Sequence, residues 1–221
     1  MAVQLTRLAG AGAAALAGLG LVAALAGCAA PATGETPSAA QVYTTANPHG
    51  FRGAYLDKPY RPPEVTLTDT AGNPFSLATG MREPVTLIVF VYTSCPDICP
   101  TVLADLASAL RRTDPAVRDQ TQVLVITTDP ERDTPKVLRE YLDRFDPSFV
   151  GLTGSLADIK VAADALGVAF EIQRLPSGGY EIGHGAQVIG FGPDGLAHLV
   201  WMPGTPVGDL RHDVEILAGL G

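Results

Sequence analysis

Two cysteines, Cys95 and Cys99, are separated by three residues in the segment TSCPDICP. The segment follows the apolar run VTLIVFVY of residues 85–92, which is typical of a strand buried on both faces, and it precedes a stretch with helical periodicity. Ligands of open α/β sheets bind at the carboxyl ends of strands, and a helix N-terminus favours the thiolate form of a nearby cysteine. The sequence therefore predicts a reactive dithiol at this edge of a sheet.

A close pair of thiolates can bind a soft metal, cycle between dithiol and disulfide, or form an inert disulfide. An inert disulfide across so short a loop would add little entropic stabilisation. A four-cysteine zinc site needs two further cysteines, whereas the chain has only Cys28 besides this pair. Cu(I) needs fewer ligands, prefers sulfur and accepts imidazole as a third ligand. Metal binding and thiol–disulfide exchange are therefore the two chemistries to distinguish.

The four histidines differ in their surroundings. We expect His49 to be a solvated linker residue, His198 to occupy a surface strand position, and His212 to lie on a solvated helix face. His184 stands between two glycines, just before a predicted strand. From the residues alone, His184 is either a metal ligand or a solvated loop residue.

Acidic residues flank the cysteines and the next predicted strand. Asp97 lies between the two cysteines, but a hard oxygen donor is a poor ligand for Cu(I). Asp129 ends a strand at the same sheet edge as Cys95, and it could hydrogen-bond near the site. Asp133 is expected only to start the following helix, in the segment Asp133-Thr134-Pro135.

The elements that must position these residues alternate between strands and helices. The predicted strands are 64–69, 75–77, 85–92, 122–128, 168–174, 186–191 and 196–202. The predicted helices are 101–112, 134–145, 156–166 and 206–219, with Thr134 and Ser155 as N-caps. This order predicts an α/β fold, a three-layer sandwich with a mixed sheet and an N-terminal β-hairpin, and a thioredoxin-like fold fits it.

Three motifs together closely resemble the Sco/SenC family over about residues 60–218. They are TSCPDICP after VFVY, DPERDTPKVLREYLDRF with FVGLTGS, and a histidine before an apolar strand and a PDG turn. The resemblance implies a thioredoxin-like fold and a copper site made by Cys95, Cys99 and His184. The copper is expected as Cu(I), with Cu(II) as a second form to test. Family members often carry polar side chains beside this histidine, whereas here both neighbours are glycine, Gly183 and Gly185.

The resemblance also implies a function and partners. The leading interpretation is a metallochaperone that helps assemble the binuclear copper centre of cytochrome c oxidase, with the oxidase's copper-accepting subunit as partner. Other copper chaperones or thiol reductants are further candidate partners. The alternative is a thiol–disulfide oxidoreductase that reduces cysteines of an extracytoplasmic acceptor; Cys95 would attack and Cys99 would resolve the mixed disulfide. No Pro-x-x-x-Thr-x-x-Cys pattern surrounds Cys95, which argues against a peroxidase of the peroxiredoxin type.

The N-terminal segment of the chain resembles a targeting signal. An apolar run over residues 8–27 follows Arg7 and ends in Leu-Ala-Gly-Cys, which looks like the lipobox of bacterial lipoproteins. This predicts a signal peptide over 1–27, a flexible tether over 28–58 that is lipidated at Cys28, and a thioredoxin-like copper-binding domain over 59–221. The expected location is the extracytoplasmic side of a bacterial cell membrane, held by the lipid anchor; an uncleaved signal anchor is the alternative.

Composition narrows the function further. The 221 residues carry a net charge of −8 and contain 17% charged residues. An acidic chain without a cluster of lysine and arginine is poorly suited to binding nucleic acid. The hydrophobic content of 47% is ample for a packed core, so wholesale disorder is also excluded.

Overall fold

The structure is a computed structural model that describes residues 43–44, 47–176 and 179–220. The predicted signal peptide and the lipidation site Cys28 lie outside these residues. The strands are β1 (Tyr43–Thr44), β2 (Ala54–Tyr60), β3 (Thr66–Asp69), β4 (Pro74–Ser76), β5 (Val85–Val91), β6 (Thr121–Thr127), β7 (Val150–Thr153), β8 (Phe170–Arg174), β9 (Tyr180–His184), β10 (Val188–Phe191) and β11 (Ala197–Trp201). The helices are α1 (Ile98–Arg112), α2 (Pro115–Arg118), α3 (Pro135–Leu142), α4 (Leu156–Ala165) and α5 (Val207–Ala218). Among the described residues, none of the helices has the length and apolar character to span a bilayer.

A mixed sheet organises the described region. Its strand order is β1-β2-β11-β10-β5-β6-β7-β3-β4. The central strand β5 runs parallel to β6, with Val89 opposite Val125, and antiparallel to β10, with Val89 opposite Val188. Strands β8 and β9 form a separate two-stranded sheet. The mixed sheet and the β3–β4 hairpin confirm the predicted fold class.

Two apolar layers cover the faces of this sheet. Alternate residues of β5 point to opposite faces, so that Val89 packs with residues of α1, α3 and α5, whereas Phe90 packs with residues of α4. All seven residues of β5 are buried, as expected for a strand covered on both sides. The result is a three-layer sandwich in which β5 is the central strand of the sheet, so its carboxyl end lies midway along the sheet edge.

The helix starts follow their predicted capping residues. The Thr134 hydroxyl accepts a hydrogen bond from the Val137 N–H, and Pro135 takes the first helical position of α3. The Ser155 hydroxyl caps α4 in the same way by accepting from the Asp158 N–H. Helix α1 begins at Ile98, three residues earlier than predicted, which brings Cys99 into its first turn.

Periodicity does not predict four strands of the structure, β1, β2, β7 and β9. Strand β2 pairs with β11 from Ala54 onward, so the predicted tether boundary at residue 58 falls inside a strand. The cause lies on helix α5, where the buried Asp213 carboxylate accepts hydrogen bonds from the backbone N–H groups of Arg52 and Gly53. Strand β9 places His184 at the end of a strand instead of in a loop.

Candidate metal centre

The loop after β5 turns back on itself to place the first cysteine beside the start of α1. The Cys95 N–H donates to the Tyr92 carbonyl over 3.1 Å, and the Cys95 sulfur accepts from the Cys99 N–H at 3.4 Å. The sulfur thus occupies a place that an N-cap oxygen often takes, which satisfies a free N–H of the first helical turn. Cys95 is half-buried and Cys99 is fully buried; neither forms a disulfide.

The pKa values of the two thiols are shifted in opposite directions. Burial alone would raise the pKa of Cys95, but hydrogen bonds from the Cys99 side chain, the Asp97 backbone and the Tyr92 hydroxyl bring its pKa below the ordinary value. Burial raises the pKa of Cys99, and its hydrogen bond with the Cys95 sulfur raises it further. At neutral pH the partly exposed outer sulfur, that of Cys95, therefore has more thiolate character than the buried inner sulfur of Cys99. This is the arrangement of a pair with an attacking and a resolving cysteine.

His184 reaches the buried cysteine from the end of β9. Its Nε2 lies 3.5 Å from the Cys99 sulfur, and its Nδ1 lies 3.0 Å from the Gly185 carbonyl oxygen. A carbonyl oxygen can only accept, so Nδ1 carries the hydrogen and Nε2 of the neutral ring turns its lone pair toward the sulfur. Burial lowers the pKa of His184, although the Gly185 bond opposes this, so the neutral form is favoured. The backbone carbonyl of Gly185 thus orients the His184 ring, which the neighbouring glycines have no side chains to do.

The aromatic ring of Tyr92 completes the wall of this site. Its centroid lies 5.6 Å from that of His184, in an edge-to-face arrangement. Two sulfurs and one imidazole form a donor set suited to Cu(I). Within the described ranges, no group of three or more His, Cys, Asp or Glu side chains is arranged to hold a metal ion. Cys99 and His184 already face one another, so the half-exposed Cys95 sulfur is the group that would complete the set.

The prediction that Asp133 merely starts a helix is wrong, because its carboxylate forms a buried hydrogen-bond network. Thr134 caps α3, whereas the fully buried Asp133 carboxylate accepts from the Thr93 N–H at 3.0 Å and from the Thr93 hydroxyl at 2.5 Å. It also accepts from the Thr127 hydroxyl at the end of β6, over 2.5 Å. Because Thr93 lies two residues before Cys95, Asp133 fixes the start of the cysteine loop against β6.

Asp129 lies near the site but bonds to residues that sequence reasoning did not identify. The Tyr180 hydroxyl donates to one oxygen of Asp129 over 2.6 Å, and the Arg132 Nε donates to the other oxygen. The guanidinium of Arg132 also sits 4.4 Å above the centre of the Tyr180 ring. No sequence signal could have indicated the Tyr180 bond, because it joins residues 51 positions apart.

The remaining candidates lie elsewhere. His198 pairs with Asp194 at 2.7 Å, and His212 pairs with Asp213 at 2.9 Å. His49 is exposed and stands edge-on to the ring of Phe51. Asp97 is the N-cap residue of α1 but makes no capping bond with its side chain. The structure therefore brings Cys99 next to both Cys95 and His184, and leaves the other three histidines with different partners.

Comparison with known families and proteins gives one matching family model and several similar proteins. The family model SCO1/SenC matches residues 56–218. A protein of Stutzerimonas stutzeri described as copper-binding is 35% identical over 133 residues, covering 60% of this chain and 65% of that protein. Mitochondrial protein SCO2 of Saccharomyces cerevisiae is 34% identical over 131 residues, covering 58% and 43% respectively. The chain thus spans between about two fifths and two thirds of these curated relatives.

Solved structures share the architecture. Apo Sco1 from Thermus thermophilus has a TM-score of 0.66 and 33% identity, covering 78% of this chain and 98% of that one. Copper-bound ScoI from Bradyrhizobium japonicum has a TM-score of 0.62 and 29% identity, covering 72% and 98%. Relatives of this fold therefore include proteins that hold copper.

Proposed function

The chain belongs to the SCO1/SenC family, and from that premise we propose that it is a membrane-anchored copper metallochaperone. Its cargo is copper, held by Cys95, Cys99 and His184, and its acceptor is the copper-binding subunit of cytochrome c oxidase. The observation that carries the proposal is the 3.5 Å approach of His184 Nε2 to the Cys99 sulfur, across 85 residues of sequence. A copper-bound relative of the same fold supports the same cargo.

Transfer follows from the unequal exposure of the ligands. Cys95 is half-buried, so an incoming donor or acceptor ligand meets this sulfur first. Cys99 is fully buried and His184 is largely covered, so these two groups retain copper while the outer bond exchanges. Stepwise ligand exchange of this kind moves copper without releasing it to water. Both sulfurs must be reduced, because a disulfide sulfur no longer offers a thiolate.

The direct test is copper analysis of the reduced full chain after loading with Cu(I). We expect one copper per chain, with X-ray absorption showing two sulfur scatterers and one nitrogen scatterer. His184→Ala should remove the nitrogen scatterer, and Cys95→Ser or Cys99→Ser should abolish binding. The matched control is His198→Ala, because His198 pairs with Asp194 instead. Undiminished copper coordination in His184→Ala would refute the proposed ligand set.

The anchor is a proposal from sequence. Cys28 follows the Leu-Ala-Gly segment that resembles a lipobox, and it lies outside the described residues. Lipidation there would hold the copper domain on the extracytoplasmic face of the membrane, which is where an oxidase subunit could receive copper. One acyl chain binds only marginally, so stable attachment requires two or more.

The asymmetry of the thiols favours a second function, thiol–disulfide exchange. The Cys95 thiolate would attack one sulfur of an acceptor disulfide, and the other acceptor sulfur would leave as a thiolate. Cys99, after losing its proton, would attack the Cys95 sulfur of the mixed disulfide and release the second acceptor thiolate. The acceptor gains two electrons and the pair becomes a disulfide.

One variant separates the two functions. Thiol exchange needs only the sulfurs, so His184→Ala should retain exchange while losing normal copper coordination. If oxidase assembly fails in this variant while exchange persists, copper delivery is the function. Normal assembly in the same variant would leave the reductase as the function of this site.

A further inference from the structure

The strand that carries His184 spans the ends of two neighbouring strands of the main sheet. Tyr180, the first residue of β9, bonds to Asp129, which follows β6, and His184, the last residue, faces Cys99, which follows β5. Residues four apart in a strand point to the same side, so the side chains of Tyr180 and His184 both face the carboxyl edge of the sheet. Strand β9 is thus attached at one end over β6 and at the other over the cysteines.

The attachment at Tyr180 is a compact group of three side chains. Asp129 is 2% exposed, and its buried carboxylate is paired with Arg132 and accepts from the Tyr180 hydroxyl. Burial, with the Asp129 bond as a further cause, raises the pKa of Tyr180 to about 12, so the hydroxyl keeps its proton at physiological pH. Arg132 covers the same ring. A buried charged acceptor makes this a stronger hydrogen bond than one between neutral groups.

The other described backbone hydrogen bonds of β9 run to β8 and the residues beside it. The pairing of His184 with Phe170 and the bond from the Gly185 N–H to the Ala169 carbonyl tie β9 to the chain at β8. Strand β8 belongs to the same separate two-stranded sheet, so these bonds hold the hairpin together and do not join it to β5 or β6.

We propose that Tyr180 is a positioning residue for copper, acting through its bond to Asp129 to hold His184 at ligand distance from Cys99. The inference rests on the proposed copper function of the site. Metal affinity depends on how well outer contacts hold each ligand, and the loss of such a contact costs about 10- to 100-fold in affinity. The described hydrogen bond and ring contact of Tyr180 are with Asp129 and Arg132 and not with the three ligands, so the proposed effect passes through β9.

The test is a double-mutant cycle on the reduced full chain, with Cu(I) affinity measured by competition against a chromophoric Cu(I) chelator. Tyr180→Phe removes the hydroxyl and keeps the ring beneath Arg132. We expect it to weaken Cu(I) binding on the order of 10-fold and to reduce the nitrogen scatterer in X-ray absorption. In a His184→Ala background, the same change should have no further effect. Tyr55→Phe, on β2, is the matched control and should leave affinity unchanged.

Two results would overturn this inference while leaving the copper function in place. One is unchanged affinity and unchanged nitrogen coordination in Tyr180→Phe. The other is an equal loss of affinity in the His184→Ala background, because Tyr180 would then act on the cysteines or on general stability. Failure of the proposed function has a different signature: wild-type protein would bind Cu(I) without a nitrogen scatterer, or His184→Ala would bind as wild type does.

Discussion

Cys95 and Cys99 are chemically unequal although three residues separate them. The outer thiol accepts hydrogen bonds that stabilise its thiolate, whereas the inner thiol is buried beside the sulfur of the outer one. The Tyr92 hydroxyl is one of the donors to Cys95, and the ring of Tyr92 also packs against His184. A single aromatic residue therefore touches both halves of the site.

The inequality predicts selective alkylation. In the reduced protein, iodoacetamide should modify Cys95 well before Cys99, with a rate that rises at lower pH than for a free thiol, whose pKa is about 8.5. Tyr92→Phe removes one donor to the thiolate, so the midpoint of the rate profile should move to higher pH. Peptide mapping by mass spectrometry identifies the modified residue. Equal modification of the two cysteines would contradict the asymmetry.

Oxidation provides a second prediction at the level of single residues. The Cys95 sulfur accepts a hydrogen bond from the Cys99 N–H at 3.4 Å, so the two cysteines lie close together and an intramolecular disulfide should form readily. Oxidised protein should then lose Cu(I) binding, and reduction should restore it. Copper uptake can be measured on both forms under anaerobic conditions, with Cys95→Ser as the reference that cannot form the disulfide. Equal uptake by the two forms would exclude a site made of these sulfurs.

Among the elements, the loop from β6 to α3 holds the cysteine half of the site through Asp133. Thr93→Val removes one of the three donor groups of this buried carboxylate and preserves the side-chain shape. Hydrogen bonds to charged groups contribute about 1.5–3 kcal/mol, so the free energy of unfolding should fall by about that amount. Urea denaturation measures the change.

The control for this loop is an exposed threonine of α1. Thr101 donates its hydroxyl to the Asp97 carbonyl at the surface, so Thr101→Val should change stability by about 0.5 kcal/mol or less. If the two substitutions lowered the free energy of unfolding equally, the buried network of Asp133 would contribute no more to stability than an exposed hydrogen bond.

Local signals predicted most elements, and long-range contacts explain what they missed. The caps Thr134 and Ser155 were identifiable because capping depends on residues three positions apart. Strand β2 has little apolar alternation, and it exists because β11 and Asp213 hold it. The cysteine pair was visible in sequence. The approach of His184 to Cys99 depends on tertiary structure, and only the family resemblance indicated it.

At the scale of the whole molecule, the proposed lipid anchor would determine where the protein could deliver copper. Cys28→Ala should block lipid attachment and processing, because the sulfur that accepts the lipid is absent. Membrane fractionation and mass spectrometry of the mature chain would check this, and Cys28→Ala protein should still bind Cu(I) when purified. A lipid-modified mature form of Cys28→Ala would rule out the lipobox interpretation.

The separation of β8 and β9 from the nine-stranded sheet has a consequence for amide hydrogen exchange. Amides of β9 can exchange through a local opening of the hairpin, whereas those of the buried strand β5 require global unfolding. Copper would tie His184 to the cysteines and close that local opening. Exchange should therefore slow in β8 and β9 on copper loading and stay nearly constant in β5. For each amide of the hairpin, the ratio of its exchange rates without and with copper reports how much copper raises the free energy of local opening.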